Sequence, residues 1–289
     1  MSEKIPNVFH FVFGLKPDFG GKPFSLVHYL AIQSAIAVNK PERVYLHYHY
    51  EPTGYWWERI KPRVTLHQVA IPESIFGNPL HHFAHKADVI RLEVLLEYGG
   101  IYLDLDTICV RPLAPLYGKS GFMIGSQLNH ESFSLRLKRS VRSLDLRSIL
   151  SGQMGLCNAV LLAARNNPFV KIWYDSYRDF RSKGRDEYWH EHSVIVPQQL
   201  AAAHKSLVTI ASPYRFHYPI YDEEGLKNLF ERTRVFPHGY VHHLWETLSW
   251  DRYLQHLTPE GISSVDTTYN LIARRHLPVQ RQDREPGEW

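Results

Sequence analysis

Cysteine is scarce in this 289-residue chain, which holds only Cys109 and Cys157. Two thiols cannot build the disulfide framework of a small secreted scaffold, and a reducing compartment suits them better. No apolar run reaches the roughly 18 residues that a membrane-spanning helix needs. The opening "MSEKIPN" lacks the apolar stretch of a signal peptide. A soluble chain in the cytoplasm is therefore expected. Charge of one sign is also lacking: 33 Lys and Arg against 29 Asp and Glu leave +4, which does not call for a nucleic acid partner. Internal repeats and low-complexity tracts are absent. So are H-E-x-x-H and finger-spaced cysteines, and this weighs against a zinc hydrolase despite the histidines of "HYHY" (His47, His49), "HHFAH" (His81, His82, His85) and "WHEH" (His190, His192).

What is present is aromatic: 17 Tyr, 7 Trp and 18 His. Such side chains line sugar and nucleotide pockets, and they equally fill cores. A hydrophobic share of 44% over this length predicts one large globular domain, placed at residues 1–272, with a loose tail over 273–289 where "ARRHLPVQRQDREPGEW" offers little apolar material.

The periodicities alternate between strand and helix. "IPNVFHFVFG" reads as a first strand, and "SLVHYLAIQSAIAVN" as a helix capped by Ser25. "VYLHYHY" reads as a second strand, "YWWERI" as a helical turn and "VTLHQVAIP" as a third strand. This order predicts an α/β fold with a mostly parallel sheet flanked by helices. Later segments continue the pattern: strands in "GFMIGSQ" and "CNAVLLAAR", helices after Pro168 and Pro197, and a strand-like run in "RVFPHGYVHHLWETLSW". The stretch 136–147 gathers five basic residues, read as a solvated face or as a contact for an anionic glycan, a lipid surface or a protein acceptor.

The densest signal is "HKADVIRLEVLLEYGGIYLDLD". Ala87, Ile90, Val94 and Tyr98 recur at helical steps over about 82–98, and Gly99 stands where a left-handed cap is wanted. A short strand follows and delivers Asp104 and Asp106 to its carboxyl end, the edge where open α/β sheets bind ligands. Two carboxylates so spaced can hold a hard cation such as Mn2+ or Mg2+; a solvated turn is the plain alternative. Asp88 and Arg91 share a helix face, either as a local ion pair or as polar groups aimed over the sheet edge.

"ADVIRLEVLLEYGGIYLDLDTICVRPL" resembles the signature of the family 32 glycosyltransferases with a D-x-D sugar-binding motif, and more distantly that of the family 44 glucosylating toxins. The match falls on Asp88, Arg91, Leu95, Gly99, Gly100, Tyr102, Asp104 and Asp106. "IPNVFHFVFG" resembles the first strand of these enzymes, with Phe13 near the place of their usual Trp, and "VHHLWETLSW" resembles their late H-x-x-W…SW segment. The resemblance implies a GT-A type, Rossmann-like fold with a C-terminal acceptor-side region. It also implies a metal-dependent transfer, with retention of anomeric configuration, from a UDP- or GDP-sugar to a glycan, lipid-linked or protein acceptor, peripheral membrane contact included.

By the same resemblance Asp106 ligates the metal and Asp104 contacts donor and metal. His243 completes the shell, with His242 as the competing choice. Asp88 and Arg91 grip the donor sugar and diphosphate, and Tyr102 lines the donor pocket. Phe9, His10 and Phe11, with Val12, occupy the base-binding position. Ser249 and Trp250 close over the diphosphate, and Asn158, or Gln153, stands near the anomeric carbon. "VIVPQQL" departs from the family's usual step, so the acceptor-side wall is expected to differ. A catalytically inactive nucleotide-sugar-binding protein on the same fold is the rival reading.

Overall fold

The computed structural model describes residues 4–118, 120–128 and 153–278, with the side chains of Gln153 and Met154 left aside. The basic stretch 136–147 and residues 279–289 lie outside the described residues, so the expectations placed there receive no structural account.

Aromatic and β-branched residues build strand β1 (Val8–Phe13), which pairs in parallel with β2 (Arg43–Tyr48); β2 in turn pairs in parallel with β3 (Thr65–Gln68). Helix α1 (Leu26–Asn39) makes the crossover between β1 and β2. At its start the His28 imidazole accepts from the Ser25 backbone N–H at 2.9 Å, meeting one of the donors that a helix beginning leaves unpaired. A small ribbon of β4 (Ser74–Ile75) and β5 (Asn78–Pro79) precedes helix α3 (Phe83–Tyr98), while α2 (Tyr55–Ile60) covers the sheet near α1.

After α3 the chain reverses into β6 (Gly100–Leu103), continues as β7 (Thr107–Cys109), and returns as β8 (Phe122–Leu128) and β9 (Gln153–Ala163). With β10 (Thr209–Ala211) the main sheet has seven strands in the order β10-β8-β9-β6-β1-β2-β3. Four of its six pairings are parallel; β9 runs antiparallel to both neighbours, which the sequence pattern does not reveal. Both faces are covered. Ile101, Leu103, Val160 and Leu162 join the core under α1, while Tyr102, Leu161 and Ala163 join the core under α3 and α4 (Pro168–Asp175). This period-2 division in strands buried on both sides explains why they read as unbroken apolar runs.

The late segment expected as strand-like is mostly not a strand. Only β11 (Val241–His243) forms, pairing antiparallel with β7 outside the main sheet, and Glu246–Ser249 turns into a short helix. Near the expected domain end, a helix over Thr268–Ala273 runs into a turn over Arg274–His276, with Tyr269, Ala273 and His276 buried.

The double glycine answers to crowding more than to a cap. Gly99 has φ +64° but ψ −168°, not the left-handed helical conformation, and a Cβ on it would stand 2.6 Å from the Arg165 nitrogen. At Gly100, φ is +106° and a Cβ would meet the Val8 carbonyl oxygen at 2.3 Å. Gly100→Ala is therefore expected to destabilise the fold by about 2–4 kcal/mol, read as a lower urea midpoint.

A buried histidine file crosses the sheet: His10 Nε2 bonds the Gly99 carbonyl at 2.8 Å, His10 Nδ1 meets His47 Nε2 at 3.0 Å, and His47 Nδ1 meets His67 Nδ1 at 2.9 Å. Burial pushes His10 down to about 4 and His47 to about 2. The unfolded chain takes up protons near pH 6.5, whereas the folded one resists, so stability present at neutral pH is lost as pH falls from 6.5 toward 4. A loss of about 3 kcal/mol for His10 alone is expected. Urea titrations at neutral and mildly acidic pH check this, with a shallower fall expected in His47→Gln.

Candidate active site at the rim of the central sheet

Where β6 ends, two carboxylates converge on one guanidinium. Arg91, projecting from α3, places Nη2 3.3 Å from Asp88 Oδ1 and 3.3 Å from Asp104 Oδ1, and its Nη1 donates to the Asn158 carbonyl at 2.7 Å. The guanidinium lies over the Tyr102 ring at 4.5 Å, and the Tyr102 hydroxyl donates to Asp104 Oδ1 at 2.9 Å. Asn158 Nδ2 donates to Asp88 Oδ1 at 2.8 Å. Helix α3 and strands β6 and β9 are thus tied together by one polar knot. Although burial works against charge on Arg91, Asp104, Tyr102 and Asp88 hold it protonated well above its ordinary range.

Asp106 belongs to a second knot. The β7–β11 ribbon sets Thr107 opposite His243, so His243 Nε2 comes within 3.1 Å of Asp106 Oδ2, and the Glu246 backbone N–H donates to the same oxygen at 2.7 Å. The Leu244 N–H fixes the Asp106 backbone by bonding its carbonyl at 2.7 Å. The adjacent His242, one residue out of phase along the strand, turns instead to the Tyr218 carbonyl at 2.9 Å. Burial raises Asp106, but the His243 charge and hydrogen bond outweigh it and bring Asp106 down to about 2; the same pairing, against burial, lifts His243 well above the ordinary range. Asp104 moves the other way: burial, reinforced by the Asp106 charge, pushes it up to about 6 against the pull of Arg91.

The groups open toward solvent in sequence. Arg91 and Asp88 side chains are 7% and 9% exposed, Asp106 is 13% and Asp104 27%. Ligand atoms of Asp104, Asp106 and His243 lie within 4.8 Å of one another, and the hydrogen bonds described engage Oδ1 of Asp104 and Oδ2 of Asp106, leaving the second oxygen of each carboxylate for a ligand. This oxygen-rich set with one imidazole can hold a hard divalent cation.

Several sequence-predicted residues are placed elsewhere or used inwardly. Phe9 and Phe11 are fully buried in the core under α1, and His10 is fully buried in the histidine file, so none presents a ring face to a base. The half-buried Phe13, at the open end of the same strand, stacks on Phe19. Ser249 spends its hydroxyl on the Leu244 and Trp245 carbonyls, and Trp250 packs in the core against His28. Asn158 stands in the site, but its amide is bound to Asp88. Histidines named for a zinc site are also engaged: His49 with the Val69 carbonyl, His82 with the Ala84 N–H, His85 with the Trp189 carbonyl. Sequence reasoning missed Cys157 and His217, which gather with His243 behind the aspartates. No local spacing links these three; only the fold brings them together.

A family model described as the glycosyltransferase sugar-binding region containing the DXD motif matches residues 34–123. Glucan organizing enzyme 1 of Cryptococcus neoformans var. grubii is 36% identical over 276 residues, spanning 93% of this chain and 70% of that protein. Inositol phosphoceramide mannosyltransferase 3 of Schizosaccharomyces pombe is 27% identical over 145 residues, which are 46% of this chain and 38% of that protein. Among solved structures, mouse xyloside xylosyltransferase 1 superposes with a TM-score of 0.52 at 12% identity, over 83% of this chain and 98% of that one. The likeness is one of fold, and the fold is of the GT-A type.

Because Asp104 is held up near 6 and His243 is held protonated by Asp106, both must lose a proton to bind a cation, so Mn2+ affinity is expected to rise with pH from about 6 upward and to fall on the acid side. Calorimetric Mn2+ titrations between about pH 5 and pH 8 read this directly. In Arg91→Gln, which removes the charge that favours the Asp104 carboxylate, the rise is expected to move to higher pH.

Proposed function

Since this chain belongs to the family of glycosyltransferases whose sugar-binding region contains the DXD motif, we propose that it moves a sugar from a nucleotide-diphosphate donor to an acceptor hydroxyl, using Mn2+ or Mg2+ and retaining the anomeric configuration. The observation that carries this reading is the surplus of carboxylates at the strand end. Asp88 and Asp104 share one guanidinium, that of Arg91, and the third carboxylate, Asp106, is paired with His243. The donor set fits a cation on chemical grounds, being two carboxylates and an imidazole whose ligand atoms already lie together.

Asp106 and His243 are the principal holders, and Asp104, the most exposed of the three aspartates, is the one that reaches both cation and donor. When bound, the cation supplies positive charge to the departing diphosphate. Arg91 keeps Asp104 ionised and aimed outward, while Tyr102 fixes the Asp104 oxygen that faces the helix. Asn158, bonded to Asp88 through its amide and to Arg91 through its carbonyl, acts by positioning these two rather than by reaching the anomeric carbon. Positioning and electrostatics of this kind can lower a transfer barrier without a strong side-chain base, the leaving phosphate taking the acceptor proton. With Phe9 and Phe11 in the core, a base would stack nearer the strand's open end, where Phe13 stands.

The acceptor, whether glycan, lipid-linked or protein, belongs to the same proposal, as does a cytoplasmic location. Among the described residues no helix is long and apolar enough to cross a membrane. UDP- and GDP-sugars screened by thermal shift with and without Mn2+ are expected to single out one nucleotide whose stabilisation requires the metal. Hydrolysis of that donor is expected to drop about 100-fold or more in Asp106→Ala. Turnover indifferent to both EDTA and this substitution would remove the proposal.

A further inference from the structure

Behind the aspartates lies a second cluster of ligand-type side chains. Cys157, His217 and His243 each offer one atom, all within 4.8 Å of one another, and all three residues are buried. Cys157 projects from β9, His217 follows the short helix Pro213–Phe216, and His243 ends β11. The fold makes room for His217 at a specific place. Gly125 sits opposite Cys157 in the sheet, next to a register shift in β8, and a Cβ on it would stand 2.7 Å from His217 Nε2. Any side chain at position 125 would push into that imidazole.

His217 is fully buried, and of its two ring nitrogens one has only the Cys157 thiol as a partner while the other has none. A neutral imidazole carries one donor and one acceptor, and buried polar atoms are nearly always paired, so a ring met only by a weakly bonding thiol calls for a further partner. His243 repeats the pattern on its inner side. Its Nε2 faces Asp106, and beyond that the ring has only the Cys157 sulfur for a partner. One sulfur and two imidazole nitrogens suit a softer ion than the oxygen-rich aspartate set does.

We propose that Cys157, His217 and His243 form a binding site for a soft divalent ion of the Zn2+ class, separate from the hard-cation set of Asp104 and Asp106. Binding forms bonds from the ion to the Cys157 sulfur and to one nitrogen of each imidazole, and it releases to solvent the proton that Cys157 and His243 hold between them. Three protein ligands leave the fourth tetrahedral position to a small exogenous ligand. An ion here also fixes the ring of His243 with Nε2 toward Asp106. The inference does not depend on which donor the enzyme uses or on whether transfer is metal-dependent.

The full chain, stripped of metal and titrated with Co2+ alone, provides the test. With only two cysteines in the sequence, a thiolate-to-cobalt charge-transfer band has a small set of sources. The expected result is a near-ultraviolet band in the wild type that added Zn2+ abolishes. The band persists in Cys109→Ser and in Asp106→Ala, and disappears in Cys157→Ser and in His217→Ala. A wild-type protein that binds Co2+ without the band, or a band that survives Cys157→Ser, overturns the site. Loss of the band in Asp106→Ala overturns its separateness from the aspartate pair. Because the wild-type spectrum alone can reject the site, a variant that fails to fold does not shelter it.

Discussion

The buried pairing of Arg91 with Asp88 and Asp104 is the constraint on which the site rests. A guanidinium this enclosed is costly unless its charge is met, and breaking one member of such a set leaves an uncompensated charge inside the protein. The pairing also ties α3 to β6 and, through Asn158, to β9, so that the helix, the central strand and the antiparallel strand beside it share one polar junction. Yet it does not balance. Asp106 adds a third carboxylate a few ångströms away, and His243 is the group drawn into partial compensation, held protonated by Asp106 in spite of its burial. A site that keeps excess negative charge at a solvent-facing rim is primed for a cation, and the exposure gradient from Arg91 out to Asp104 shows the direction from which it would enter.

Two further features give this junction its shape. The β7–β11 ribbon carries His243 to Asp106, with register deciding which of two adjacent histidines faces the carboxylate. The Gly99–Gly100 reversal lets α3 and β6 follow each other without a connecting loop, at the cost of backbone approaches that no Cβ would allow. The economy of the stretch from Asp88 to Asp106 is thus steric as well as chemical: the helix must end, reverse and become a strand within the reach of a single arginine side chain.

That stretch was also the part most legible in the sequence. Helical spacing, a double glycine and a short apolar run are local signals, and they sufficed to place α3, β6 and the two aspartates, as well as the alternation of helices with a mostly parallel sheet. What was not legible depended on depth or on distant partners. Phe9, His10 and Phe11 look alike whether a strand's middle or its open end faces a ligand, because a strand covered on both faces is apolar throughout. The hydroxyl of Ser249 gave no hint that two carbonyls of its own segment would claim it. The direction of β9 and the meeting of Cys157 with His217 are products of topology, and the burial of Ala273 and His276 is concealed by the polar composition around them.

The central claim is positional: a hard divalent cation at the sheet rim, held by Asp106 and His243 with Asp104 beside it. Crystals grown with Mn2+ and a nucleoside diphosphate, measured at the manganese absorption edge, address it most directly. The account predicts an anomalous peak in contact with Asp106, His243 and the diphosphate oxygens. A nucleotide bound at the rim with no manganese between it and the aspartates would contradict it.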